Sequence, residues 1–485
     1  MTRIKTISAL AAITAMSAMP LAAQAQTWTP MKNQPSFSAG SLFLMTDGTV
    51  IAQDSGSCGC GSGNWWKLTP DKTGSYVNGT WKQLASMPSG YAPLYYASEV
   101  LPNGELIVQG GEYNGSGNGV WTTKGAIYDP VKDKWASVTP PTGWSTIGDA
   151  QSTLLGDGTY MLADCCNTNE ATLNIKTMTY TTTGKGKADD DDEEGWTLLP
   201  SGQVLTVDTW DPPNTEILTK GTWATAGNTP VTLPDTSSKE MGPLVLRPDG
   251  TVFAVGGNTA GYTAIYNIAA GTWSQGPTLP APKGSSTHYD EADGPAALLP
   301  DGNVLMATSP GVFGSPVQFF EFDGTNLNKE PNTPNSPNDS SFYFRLLTLP
   351  TGQVMASDGS SDVEIYTPTG SANPAWAPVV SSFKAKVKAG KTYKLTGTYL
   401  NGFSQAVAYG DDYQAPTNYP IVEITNTKSG EVTFAKTVDD SSYLPANPNP
   451  VTTKVTIPAT AKKGPSTLVV IANGIASNPF SITVK

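Results

Sequence analysis

Seven times along the chain an apolar run meets a short polar turn and a second apolar run follows. The turns are Thr46-Asp47-Gly48, Pro102-Asn103-Gly104, Gly156-Asp157-Gly158, Pro200-Ser201-Gly202, Pro248-Asp249-Gly250, Pro300-Asp301-Gly302 and Pro350-Thr351-Gly352, spaced 44 to 56 residues apart. Each predicts a β-hairpin, because a glycine after Asp, Asn, Ser or Thr supplies the positive φ of a tight reversal. A third strand follows most hairpins, as at Ala126-Ile127-Tyr128, Ala264-Ile265-Tyr266 and Glu364-Ile365-Tyr366. A fourth, marked by an aromatic residue, carries Trp81, Trp135, Tyr180, Trp223 and Trp273, with Leu327 in the weakest copy.

The seventh hairpin has no fourth strand after it, yet Thr27-Trp28-Thr29-Pro30 ahead of the first hairpin has that signature. The economical solution is a closed ring in which the N-terminal strand completes the last unit and removes an exposed edge. Four-stranded units at a period near fifty match the kelch repeat length. The expected fold class is all-β, a seven-bladed kelch-type β-propeller over residues 26–370. From about residue 368 the pattern stops, and Ser371 to Pro378 reads as a linker. Strands are then expected at Thr392 to Tyr399, Ile421 to Asn426, Val432 to Thr437, Lys454 to Ile457, Thr467 to Ala472 and Phe480 to Val484. Short strands with no helical period suggest an immunoglobulin-like (early-set) β-sandwich over residues 378–485.

Residues 1–25 read as a signal peptide, with Arg3 and Lys5, an apolar stretch from Ile7 to Leu21, and a small-residue cleavage site at Ala23-Gln24-Ala25. The product is expected to be soluble and exported, secreted or periplasmic, without membrane insertion. Removing Arg3 and Lys5 from the 29 basic residues leaves 27 against 41 acidic ones, a net charge of -14. Nucleic acid is therefore not an expected partner. Arg247 and Arg345 are the only arginines of the mature chain, which excludes an arginine-clustered, sialidase-type site.

A seven-bladed kelch propeller followed by a C-terminal sandwich resembles galactose oxidase and the glyoxal oxidases, the copper radical oxidases. The resemblance covers almost all of the mature chain, and its motifs are repeat motifs that specify fold rather than chemistry. It implies copper held by two tyrosines and two histidines, one tyrosine being linked to a cysteine. Counting back from the turns, the Tyr-His pair that opens the last blade falls on Phe342 and Tyr343, and the cross-linked tyrosine on Met241. The cysteine falls on Glu193, and the histidine from the sandwich at about Tyr413 or Gln414, after Tyr409-Gly410. With His288 as the chain's single histidine, copper is not expected.

The residues seven positions before each turn should ring the mouth of the propeller channel. They are Ala39, Tyr95, Asp149, Glu193, Met241, Asp293 and Tyr343, with Asp189 to Asp192, Glu194, Glu240, Asp290 and Glu291 close by. Converging carboxylates repel unless a cation or raised pKa values relieve them, so a calcium-like ion on Asp149, Glu193 and Asp293 is expected. The alternative is that Asp189 to Glu194 is an ordinary solvated charge run. Tyr91, Tyr95, Tyr96, Trp144, Trp210 and Tyr343 supply aromatic faces, about half of them expected in blade cores. The first functional expectation is a saccharide or another small neutral or cationic ligand held by Tyr95, Asp149, Glu193, Glu240, Asp293 and Tyr343, with calcium as the cofactor. Other expectations are a carbohydrate-active enzyme with Asp149, Glu193, Asp293 and His288 as catalytic candidates, a divergent oxidoreductase, or a scaffold. Cys58, Cys60, Cys165 and Cys166 are expected in disulfides, in any of three pairings.

Overall fold

The computed structural model describes residues 26–410 and 412–485; the expected signal peptide, 1–25, lies outside the described residues. All seven turn glycines adopt the left-handed conformation, with φ from 74° at Gly48 to 88° at Gly302. Seven four-stranded antiparallel units result. Blade one runs from Ala39–Leu44 to Thr80–Gln83, and blade six contains Ala296–Leu298, Val304–Pro310, Gln318–Phe322 and Leu327–Lys329. Most strands are buried along their length, because blades pack face to face around the axis.

The ring closes through its first strand. Thr27–Pro30 pairs antiparallel with Glu364–Thr367, setting Trp28 opposite Tyr366. The Trp28 ring lies 4.8 Å from Phe319 and 5.1 Å from Tyr366, and its Nε1 donates to the Pro331 carbonyl at 2.7 Å. Trp28 therefore joins blades six and seven. Because the ring is partly exposed, Trp28→Ala is expected to cost about 2–3 kcal/mol, below the 3–5 of a fully buried ring. A denaturation midpoint shifted by less than about 0.5 kcal/mol would match an ordinary surface position and remove the seam from the account.

Residues 379–484 form an extra curled sheet. Its order is Val379–Ser382, Thr392–Thr398, Val451–Thr456, Val432–Val438, Ile421–Asn426, Gly464–Ala472, Phe480–Val484 and Lys386–Val387, with Ile475–Ala476 beside Gly464–Ala472. The sheet bends round one core, in which Phe383 and Leu395 meet Val470 and Ile482. Of these strands Val379–Ser382, Lys386–Val387 and Ile475–Ala476 have no counterpart in the sequence reading.

A further strand, Val407–Ala408, leaves this sheet and pairs with Ala296 and Ala297 on the inner edge of blade six. The segment around it runs into the propeller axis. Leu298 N donates to Ala406 O at 2.7 Å, Tyr96 N to Asp412 O at 3.0 Å, and Ser98 N to Gln414 Oε1 at 3.2 Å. The C-terminal part thus fills the channel and delivers side chains to the opposite face.

Candidate functional site

The structure brings Glu193, Glu240 and Asp293 together: one carboxylate oxygen from each lies within 4.8 Å of the other two. Glu193 and Asp293 sit at the entry to the inner strands of blades four and six, where φ is 59° and 46°, and Tyr95 holds the same left-handed conformation at 51°. Such backbone costs about 1–3 kcal/mol for a non-glycine residue and persists where the surroundings impose it. Here it turns two carboxylates inward. Glu240 shares hydrogen bonds with both Glu193 and Asp293, and Asp293 bonds Asp412.

A carboxyl-to-carboxyl hydrogen bond requires a proton on one partner. Burial, then the charges of Asp293 and Glu193, raises the Glu240 carboxyl far above its ordinary range. Burial followed by neighbouring acids also raises Glu193, Asp149 and Asp412, and Glu112 is pushed up to about 7 by burial. Glu240 Oε2, Asp293 Oδ1 and Asp149 Oδ1 are buried without a hydrogen-bond partner.

Arg345, 4% exposed, is the cation set against Asp293 and Asp412. Its guanidinium lies 4.2 Å from the Tyr409 ring, 5.4 Å from Tyr413 and 5.6 Å from Tyr95. Nη1 donates to the carbonyls of Phe342 and Phe344 at 2.7 and 2.8 Å. Tyr95 and Arg345 also line an open pocket of about 480 Å³ between blades seven, one and two. Tyr113, Phe342, Tyr343 and Asp339 face it too. Tyr343, half exposed, packs 4.2 Å from Phe342 at its rim.

The other expected residues divide clearly. Asp149 is buried near the group, where the charges of Glu112, Asp192 and Asp293 add to burial in raising its carboxyl. His288 is engaged elsewhere: its Nδ1 meets the Leu279 carbonyl at 2.5 Å, and its backbone N donates to Thr259 O. Asp290 and Glu291 satisfy backbone amides of Ala292 and Ala307 within blade six. Asp189 to Glu194 is not a solvated run, since Asp191 and Glu194 are fully buried. Tyr91 and Tyr96 belong to the core, whereas Trp210 is half exposed, with Nε1 on Asp192 at 2.8 Å. Met241 is packed in the core between blades four and five, Tyr413 donates to the Leu42 carbonyl, and Gln414 Oε1 binds Ser98 N and Ser152 Oγ. The cysteines pair as Cys58–Cys60 and Cys165–Cys166, each within one loop of the mouth face.

Glu112, Arg345, Tyr409 and Asp412 were missed as site residues. Two signals pointed to them: Arg345 is one of two mature-chain arginines, and Asp412 lies in the loop after Tyr409-Gly410.

No helix among the described residues is long and apolar enough to cross a membrane. No protein-family model matches the chain, and no curated protein matches it. Among solved structures, a fungal alcohol oxidase of the AA5 family in complex with copper is similar, with TM-score 0.51 and 13% identity over 95% of this chain and 100% of that one. A catalytically inactive virginiamycin B lyase from Staphylococcus aureus with quinupristin gives TM-score 0.50 and 9% identity over 71% of this chain and 99% of that one. At these identities the likeness shows the fold: a seven-bladed propeller, like that of galactose-oxidase-type proteins, joined to an extra sheet.

Proposed function

We propose that the propeller mouth is a binding site in which Glu193, Glu240 and Asp293 hold a calcium-like cation. A neutral or cationic saccharide-type ligand then occupies the adjoining pocket. The observation that carries this reading is the approach of three carboxylate oxygens within 4.8 Å. Oxygens bound to one calcium at about 2.3–2.6 Å can lie up to about twice that distance apart, so all three can touch a single ion. Tyr95, Tyr113 and Tyr343 offer ring faces to the C–H surfaces of a sugar, and the acids offer acceptors to its hydroxyls.

Copper does not fit this donor set. The matched positions hold Met241, Glu193, Phe342, Tyr343 and either Tyr413 or Gln414, without an imidazole, whereas an all-oxygen carboxylate set is the kind that calcium takes. A carboxylate-based carbohydrate-active enzyme is the second reading. It is favoured by the same close approach, which sets a raised acid beside possible bases, as general acid-base chemistry needs. Export is supported by the two disulfides, which persist in oxidising compartments. We read the curled sheet as an immunoglobulin-like module because it encloses its own core.

Thermal unfolding during calcium titration tests the cation. A ligand at one hundred times its Kd stabilises by about 2.7 kcal/mol, and Glu240→Gln should abolish most of that gain. An equal gain in wild type and Glu240→Gln would sink the mouth as the cation site. Isothermal titration with neutral oligosaccharides, in calcium and in EDTA, then separates ligand binding from ion binding.

A further inference from the structure

Adjacent to Glu193, Glu194 turns the other way, into blade four. It meets Asp189 and Asp208, and one oxygen of each of the three lies within 4.8 Å of the others. Lys187 occupies one side of this cluster. Its fully buried ammonium lies 2.5 Å from Asp189, 2.8 Å from Glu194 and 2.9 Å from Glu216. Three carboxylates therefore contact one ammonium, and the Asp191 charge acts on it as well.

The decisive side chain is Asp208. It is 1% exposed, and neither of its carboxylate oxygens has a hydrogen-bond partner. Lys187 is spent on the other three acids, and Thr206 Oγ1 donates to Glu194 rather than to Asp208. A buried carboxylate left bare is strongly disfavoured unless it is neutralised. Since one of its oxygens already lies within reach of Asp189 and Glu194, a bound cation would satisfy it.

We propose that Asp189, Glu194 and Asp208 hold a second hard divalent cation of calcium size, separate from the mouth. Its ligands are all oxygens, and the span suits metal–oxygen bonds of about 2.3–2.6 Å. Lys187 caps the far side of the same acids. In this arrangement the ion ties the connection entering blade four to the end of its second strand, Val204–Val207.

Calcium binding to the full chain, measured by equilibrium dialysis after chelator treatment, tests the site apart from the mouth. Asp208→Asn should bind one ion fewer than wild type, whether or not Glu240→Gln also loses one. Unchanged stoichiometry in Asp208→Asn overturns this site, whereas unchanged stoichiometry in Glu240→Gln overturns only the mouth. Thermal unfolding supplies the second readout. In EDTA, Asp208→Asn should be at least as stable as wild type, because a buried charge has gone, and in calcium wild type should overtake it. A variant less stable than wild type in EDTA and calcium alike would assign Asp208 a structural role and overturn the site.

Discussion

Replacing Lys187 by Met is expected to cost about 3–5 kcal/mol, the range for removing one partner of a buried ion pair. The ammonium has no exposure and contacts three carboxylates at 2.5–2.9 Å. Burial alone would lower its pKa, but Glu194, Asp191 and Asp189 outweigh burial and raise it. Without it these acids must protonate or draw in water. The loss should appear as a lower urea midpoint, and adding Glu194→Gln to Lys187→Met should recover part of it, because that second change removes an orphaned charge. A loss under about 1 kcal/mol, the value of an exposed pair, would mean that water already screens the cluster.

In EDTA, the protein should lose stability steadily as pH rises from about 5 to about 8. Burial raises Glu193 and Glu240 in the mouth and Glu194 in blade four, with Glu112 at about 7 and Asp208 at about 8. A group with a folded pKa above its unfolded value binds more protons in the native state. Its contribution is complete below the unfolded pKa, near 4 for a carboxyl, and is lost as pH climbs through the folded one. A group titrating one pH unit higher when folded contributes about 1.4 kcal/mol, less for the partly exposed Glu112, which water screens. Calcium should flatten the slope, since the ion replaces the protons. Scanning calorimetry at fixed pH in EDTA and in calcium provides the check, and stability that rises with pH in EDTA would contradict the buried carboxyl clusters.

The strands and ring closure were legible because their causes are local. Turn glycines such as Gly104 and Gly302 need positive φ, and the Trp28 signature repeats one found at Trp81 and Trp273. A fixed count from each turn also picks out Glu193 and Asp293, one carboxylate oxygen of each lying within 4.8 Å of the other. The sequence did not reveal the segment around Val407–Ala408, because a two-residue strand carries almost no pattern and its partner lies more than a hundred residues away.

By itself, then, the sequence determined the repeats, the closing strand and the acidic character of one face, all consequences of short-range backbone chemistry and composition. Only the tertiary structure decided which acids share a site. It joined Asp412 to Glu193, Glu240 and Asp293, set Arg345 among three tyrosine rings, and sent Glu194 to Lys187 instead. Neighbours in sequence parted at Glu193 because a single left-handed residue redirects the chain, and the charge each carboxylate meets is fixed by what packs against it.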